Sequence, residues 1–192
     1  MVNEVLGKQL SDKEIWVSFK SGDLDAFNLM FDKYADVLFD YGRNLCSDRQ
    51  LIEDCIQDTF VEIWSKKERL SDTDSIKFYL FKALRRKIYR RIRKESNFFV
   101  SDEIKSDLNF NLQASQEGVM IAAESDSQTK KMLGDAIENL SVRQKEAIYL
   151  RFYRELSFQE VSKVMGIGMK STYRVVSKAI ERLQGALGET LK

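Results

Sequence analysis

Lys170, Arg174 and Lys178 recur four residues apart, a spacing that on a helix lines up three cations along one face. Ser171, Tyr173 and Ser177 fall beside them. Side chains of these types neutralise phosphates and read base edges in a DNA groove. A second set is denser: Lys82, Arg85, Arg86, Lys87, Arg90, Arg91, Arg93 and Lys94 put eight cations into thirteen residues with no acid among them. At ~1.5 Å per residue the run covers about 20 Å of helix, comparable with several phosphate spacings of a nucleic acid. Phe78, Tyr79, Phe81 and Tyr89 are interleaved with it, and whichever of these rings avoid the core can stack on unpaired bases, which a reader of duplex alone does not need. Opposite in sign, Glu53, Asp54, Gln57, Asp58 and Glu62 share one helical surface. Such a face repels DNA and suits a basic protein surface.

The composition argues against an enzyme. Histidine is absent from all 192 residues, which removes the usual general base, the usual triad partner and the commonest zinc ligand together. No catalytic residue, metal, cofactor or small-molecule substrate is expected. A helical nuclease holding magnesium between Glu53, Asp54 and Asp58 is the remaining enzymatic alternative. Cys46 and Cys55 are the only cysteines and read as small buried hydrophobes. No run is long and apolar enough to span a bilayer, and Met1-Val2-Asn3-Glu4 lacks the layout of a signal peptide, so a cytoplasmic location is expected.

The elements that must carry these side chains are helical throughout. With no proline in the chain, nothing interrupts periodicity at three and four residues. Ser11-Asp12-Lys13-Glu14 forms a capping box ahead of Ile15, Trp16 and Phe19. Ser21-Gly22-Asp23 breaks that helix, and Leu24, Phe27, Phe31, Tyr34, Leu38 and Tyr41 give a second one its apolar face. Asp48 opens a third, with Ile52, Cys55, Ile56, Phe60, Ile63 and Trp64 as its buried stripe. Ile76, Leu80, Leu84, Ile88 and Ile92 repeat every fourth residue in a fourth. Between Ser96 and Thr129 six acids stand against Lys105 alone in a setting of Ser, Asn and Gln, the composition of a flexible acidic linker, with a short helical piece around Val119 to Ala123.

Beyond the linker one helix ends at Leu140, and Ser141-Val142-Arg143-Gln144 caps the next, which carries Ala147, Ile148, Leu150 and Phe152. Ser157-Phe158-Gln159-Glu160 caps the first helix of a helix-turn-helix spanning Leu156 to Leu183. Gly166-Ile167-Gly168 is its turn, Gly166 taking a positive backbone angle. Val161, Met165, Ile167, Val175 and Ile180 are its expected core, and Ser162 is small where the two helices cross. The fold class is all-α: two small helical domains, 1–95 and 130–192, joined by the acidic linker 96–129, the second a helix-turn-helix.

The residues also resemble a known family, the extracytoplasmic-function sigma factors of bacterial RNA polymerase, which belong to the sigma-70 family. Gly22-Asp23-Leu24-Asp25-Ala26-Phe27 followed by Tyr34 resembles the family's opening helix, and Ile52-Glu53-Asp54-Cys55-Ile56-Gln57-Asp58-Thr59-Phe60 with Trp64 resembles its polymerase-binding helix. The resemblance implies that Glu53, Asp54, Gln57, Asp58 and Phe60 dock on the clamp helices of core polymerase. It implies that Phe78, Tyr79, Lys82, Arg85, Arg86, Tyr89, Arg90 and Arg93 read and hold the melted minus-ten promoter strand. Lys170, Ser171, Tyr173, Arg174, Ser177 and Lys178 would read the minus-thirty-five duplex, and the acidic linker would thread the polymerase cleft. Thr172 stands where the family commonly has an aliphatic residue. The Tyr173-Arg174 pair resembles members controlled by membrane-bound anti-sigma partners. The competing function is a self-sufficient helix-turn-helix repressor or activator, which would bind two-fold-symmetric DNA without polymerase.

Overall fold

A computed structural model describes residues 10–95, 110–112 and 127–188. Helix is the only regular secondary structure among them, as the periodicity requires. The chain divides into two compact units, Met1–Gly42 with Asp48–Arg91, and Arg43–Ser47 with Ile92–Lys192.

In the first unit, α1 (Asp12–Lys20) begins at a complete capping box: Glu14 N–H donates to Ser11 Oγ, and Ser11 N–H donates to the Glu14 carboxylate at 2.8 Å. Gly22, at φ +95°, makes the predicted break before α2 (Leu24–Leu45). Asp48 caps α3 (Arg49–Lys66) by accepting Leu51 N–H at 3.0 Å, a 3₁₀ turn follows at Lys67–Arg69, and α4 runs from Ile76 to Glu95. Ile76, Leu80, Leu84 and Ile88 of α4 are fully buried. The α2 stripe holds Tyr34, Leu38 and Tyr41 as the spacing suggested, but its first half is rotated. Ala26, Met30, Tyr34, Leu38, Tyr41 and Leu45 are inside, whereas Leu24 is 60% and Phe31 40% exposed. Both stripes fit a helical period, and the neighbouring helices select between them. Of the α3 stripe, Trp64 is only half-buried, with the Lys67 ammonium 4.4 Å from its ring centroid.

In the second unit, α5 (Ser127–Glu138) starts inside the stretch assigned to the linker. Ser141 caps α6 (Val142–Ile148) with a full capping box, and the chain continues as one π-helical segment, Tyr149–Tyr153. Arg154 N–H donates to Tyr149 O at 3.0 Å, so each turn there holds an extra residue. That rotation turns Phe152 out of the expected core, to 51% exposure. The helix-turn-helix follows as α7 (Phe158–Met165) and α8 (Met169–Gly188). Gly166, at φ +66°, makes the left-handed turn between them. Val161, Ser162, Val164 and Met165 are buried as α7's inner face, while on α8 the buried residues are Thr172, Val176 and Ala179; Ile167, Val175 and Ile180 are only half-buried. Thr172 fits this interior because its hydroxyl donates to Gly168 O at 3.1 Å, satisfying the one polar atom it brings.

Of the linker, residues 110–112 are described. Phe110 is 2% exposed with its ring centroid 5.6 Å from that of Tyr149, Leu112 is buried, and Asn111 N–H donates to Asn44 O at 2.8 Å. The short helix expected around Val119 to Ala123 lies outside the described residues. Cys55 is buried as expected, and its burial pushes the thiol pKa up. Cys46 is only half-buried.

Candidate polymerase and nucleic-acid surfaces

On α3 the predicted acids sit together on one face, and the chain's own cations already meet most of them. Arg49 Nε donates to Glu53 at 2.8 Å, Gln50 Nε2 to Asp54 at 2.9 Å and Arg91 Nη2 to Asp58 at 3.2 Å. Lys66 and Lys87 both reach Glu62, each at 2.6 Å. Hydrogen bonds from those two lysines hold the Glu62 carboxyl at a pKa of about 2. Ion pairs this exposed are worth little individually, so a partner's cations can displace them. Gln57 and Asp58 are exposed, Glu53 and Asp54 half-buried. Phe60 departs from the role the resemblance gave it: at 2% exposure it is core, 4.9 Å from the Phe31 ring and 5.9 Å from the Phe27 ring, too deep to touch a partner.

Beside the acids lies a feature the periodicity did not single out. An open groove of about 240 Å³ between α2 and α3 has Phe31, Ala35, Phe39 and Ile56 as its apolar lining and Asp36, Arg49, Glu53 and Gln57 at its polar positions. Phe31 was the readable signal, an aromatic residue at the margin of the α2 stripe.

The basic run on α4 divides by helical position. Lys87 and Arg91, four apart, turn to the α3 acids. Lys82, Arg86, Arg90 and Arg93 are exposed. Among the rings, Phe81 is fully buried, stacked on Tyr41 with centroids 4.8 Å apart, and so cannot meet a base. Tyr79 is half-buried with its ring 5.0 Å from that of Trp16, and Phe78 is half-buried below the Lys82 ammonium, 6.0 Å from its centroid. Arg85 donates to the Tyr89 hydroxyl at 3.0 Å and lies 4.3 Å from its ring centroid. One surface therefore presents guanidinium and ammonium groups together with partly exposed aromatic faces, the pairing that grips a single strand.

All six residues predicted on α8, Lys170, Ser171, Tyr173, Arg174, Ser177 and Lys178, are exposed. Tyr173, at 50% exposure, stacks on Phe158 of α7 with centroids 4.4 Å apart and planes 25° from parallel.

Two family models match the chain: Sigma-70 region 2 over residues 30–98 and Sigma-70, region 4 over residues 136–185, together more than half of it. The chain belongs to the sigma-70 family. Region 2 contains α3 and α4 with their acidic and basic faces, and region 4 contains the helix-turn-helix. Among curated relatives, the ECF RNA polymerase sigma factor SigM of Bacillus subtilis (strain 168) is 24% identical over 157 residues, 81% of this chain and 91% of that protein. ECF RNA polymerase sigma factor SigL of Mycobacterium tuberculosis is 25% identical over 167 residues, 84% of this chain and 90% of that one. These relatives agree with the extracytoplasmic-function resemblance carried by the motifs. Among solved structures, CnrH in complex with the cytosolic domain of CnrY shares the fold at a TM-score of 0.59 and 17% identity, covering 93% of this chain and 98% of that one. Sigma factor RpoE of Bartonella quintana, in complex with the anti-sigma factor NepR, does so at 0.54 and 24%, covering 84% and 96%. Among the described residues, no helix is long and apolar enough to cross a membrane, and no three acids or cysteines come together as metal ligands.

Proposed function

We propose that this chain is an alternative sigma factor: it binds core RNA polymerase, recognises promoter DNA with two domains and initiates transcription, with no chemistry of its own. The observation that carries this reading is the presence of sigma-70 regions 2 and 4 in one chain, with oppositely charged helical faces within region 2. The N-terminal domain, 1–95, binds polymerase and the minus-ten element. Glu53, Asp54, Gln57 and Asp58 dock on a basic polymerase surface, exchanging intrachain ion pairs for intermolecular ones, while Phe60 supports the face from behind. Lys82, Arg85, Arg86, Arg90 and Arg93 hold the melted strand, with Phe78, Tyr79 and Tyr89 supplying ring surface. The domain 130–192 reads the minus-thirty-five duplex through Lys170, Ser171, Tyr173, Arg174, Ser177 and Lys178, and the acidic linker 96–129 connects the two. The site of action is the cytoplasm, where core polymerase works. An anti-sigma protein is a further partner, a reading supported by the structural relative RpoE, which was solved with one bound.

The test is a pull-down with core polymerase and in vitro transcription from a genomic library. The wild-type chain should retain core enzyme and yield specific transcripts, and Asp54→Ala with Asp58→Ala should lower core retention at least tenfold. Undiminished retention by the double variant would remove the acidic face from the mechanism.

A further inference from the structure

Tyr173 stands out on the α8 surface because its neighbours there are cations and hydroxyls. It lies on the face that carries Lys170 and Ser177, three before and four after it. Its hydroxyl can donate to a phosphate, but its ring brings no charge to neutralise one and offers an apolar face instead. An exposed tyrosine would ordinarily sample several rotamers and lose that freedom on binding. This one is already ordered, stacked on Phe158 at 4.4 Å, close to parallel as aromatic pairs prefer.

Phe158 is itself held. The Arg151 guanidinium lies 5.2 Å from its ring centroid and 5.7 Å from that of Phe152. Arg151 Nη1 donates to Leu156 O at 3.3 Å, while its buried Nε has no hydrogen-bond partner. Leaving such a donor unsatisfied costs stability. Arg151 lies within the π-helical segment Tyr149–Tyr153, four residues before Glu155, the one non-glycine residue with a positive φ (57°) among the described residues. Strain of this kind gathers where a fold has a functional geometry to keep. Arg151, Phe158 and Tyr173 thus form a ladder from the π-helical segment to the outer face of α8.

We infer that Phe158 is a positioning residue that holds the Tyr173 ring against a thymine methyl in the promoter's minus-thirty-five element, making Tyr173 a specificity determinant rather than a backbone contact. This rests on the sigma-factor reading above. Apolar contact with the thymine methyl is the major-groove signal an aromatic ring can read. Phe158 need not touch DNA for this; it keeps the Tyr173 ring where the methyl will arrive.

The experiment uses the full chain with core enzyme and the promoter recovered by in vitro transcription, each minus-thirty-five thymine being replaced in turn by uracil, which lacks only the methyl. For the wild type, one replacement should weaken holoenzyme binding about fourfold, the worth of one buried methyl-sized group. Tyr173→Ala and Phe158→Leu should each abolish that discrimination, while Tyr173→Phe and Phe158→Tyr should keep it. Circular dichroism and core retention would establish that each variant is folded, and Phe158→Ala provides a second test of the support. Full discrimination by folded Phe158→Leu and Phe158→Ala would overturn the positioning role, and a wild type indifferent to every uracil would overturn the methyl contact. Absence of specific transcription by the wild type would sink the sigma-factor reading and this inference with it, a result distinguishable from the others because it appears before any base is changed.

Discussion

Asp12 stands in the first turn of α1, where its charge favours the helix N-terminus, yet its larger role is tertiary. It accepts hydrogen bonds from Lys33 Nζ at 2.9 Å, from the Tyr34 hydroxyl at 2.7 Å and from Ile76 N–H at 2.9 Å, so one carboxylate joins α1, α2 and the start of α4. Burial works to raise its pKa, but the hydrogen bonds from Lys33, Tyr34 and Ile76 outweigh it and hold the carboxyl below its ordinary value. A carboxyl pKa depressed in the folded state stabilises fully above the unfolded value near 3.9, and that stabilisation is lost as pH falls through the folded one. Asp12→Asn should therefore cost about 1–3 kcal/mol at pH 7. In urea titrations followed by circular dichroism, the gap between wild type and variant should narrow at pH 3; a gap of equal size at both pH values would show that the charge is not what matters. In the capping box Ser11 and Glu14 were legible from spacing of three, whereas Asp12's partners come from 21, 22 and 64 residues away.

Helices marked by a cap began where the sequence indicated, because a cap is a local hydrogen-bond arrangement, whereas α5 begins at Ser127, inside the stretch read as linker. The boxes at Ser11, Ser141 and Ser157 all form. Which face each helix buries depended on its neighbours, as the exposed Leu24 and Phe31 of α2 demonstrate. Two helical glycines separate the local from the tertiary effect. A Cβ added at Gly42 of α2 would lie 2.5 Å from Ile52 Cγ2, whereas one at Gly134 of α5 would meet nothing within 4 Å. Alanine gains about 1 kcal/mol over glycine inside a helix. Ile52 is fully buried and β-branched, so it cannot swing aside, and overpacking of this kind costs about 1–3 kcal/mol. Thermal unfolding should show Gly42→Ala lowering Tm and Gly134→Ala raising it. A raised Tm for Gly42→Ala would mean that α2 and α3 cross less closely than the structure shows.

For the whole chain, a net charge of +1 hides a division of labour. In the proposed function the acids of α3 are for a basic partner and the cations of α4 and α8 for nucleic acid. Arg182 of α8 is engaged with Gln144 at 2.8 Å, and Lys87 and Arg91 of α4 are directed to the chain's own acids, which leaves modest charge for DNA binding alone. At about 150 mM salt, where screening sets in beyond about 8 Å, a gel shift should show promoter DNA unbound by the chain alone and fully shifted once core polymerase is added. A tight, two-fold-symmetric footprint by the chain alone would instead identify the self-sufficient regulator weighed at the outset.

Residue order alone determined the all-helical class, the starts of the capped helices, the turn at Gly166 and the clustering of charge, because caps, periodicity and left-handed glycines act over a few residues. It also carried the motifs that mark the sigma-70 family. Tertiary structure decided what depended on distant partners. It buried Phe60 and Phe81, turned Lys87 and Arg91 toward the α3 acids, moved Phe152 out through a π-helical segment, anchored Phe110 within the polar stretch and set Phe158 beneath Tyr173. A helical stripe allows several rotations, and only packing against another surface selects among them.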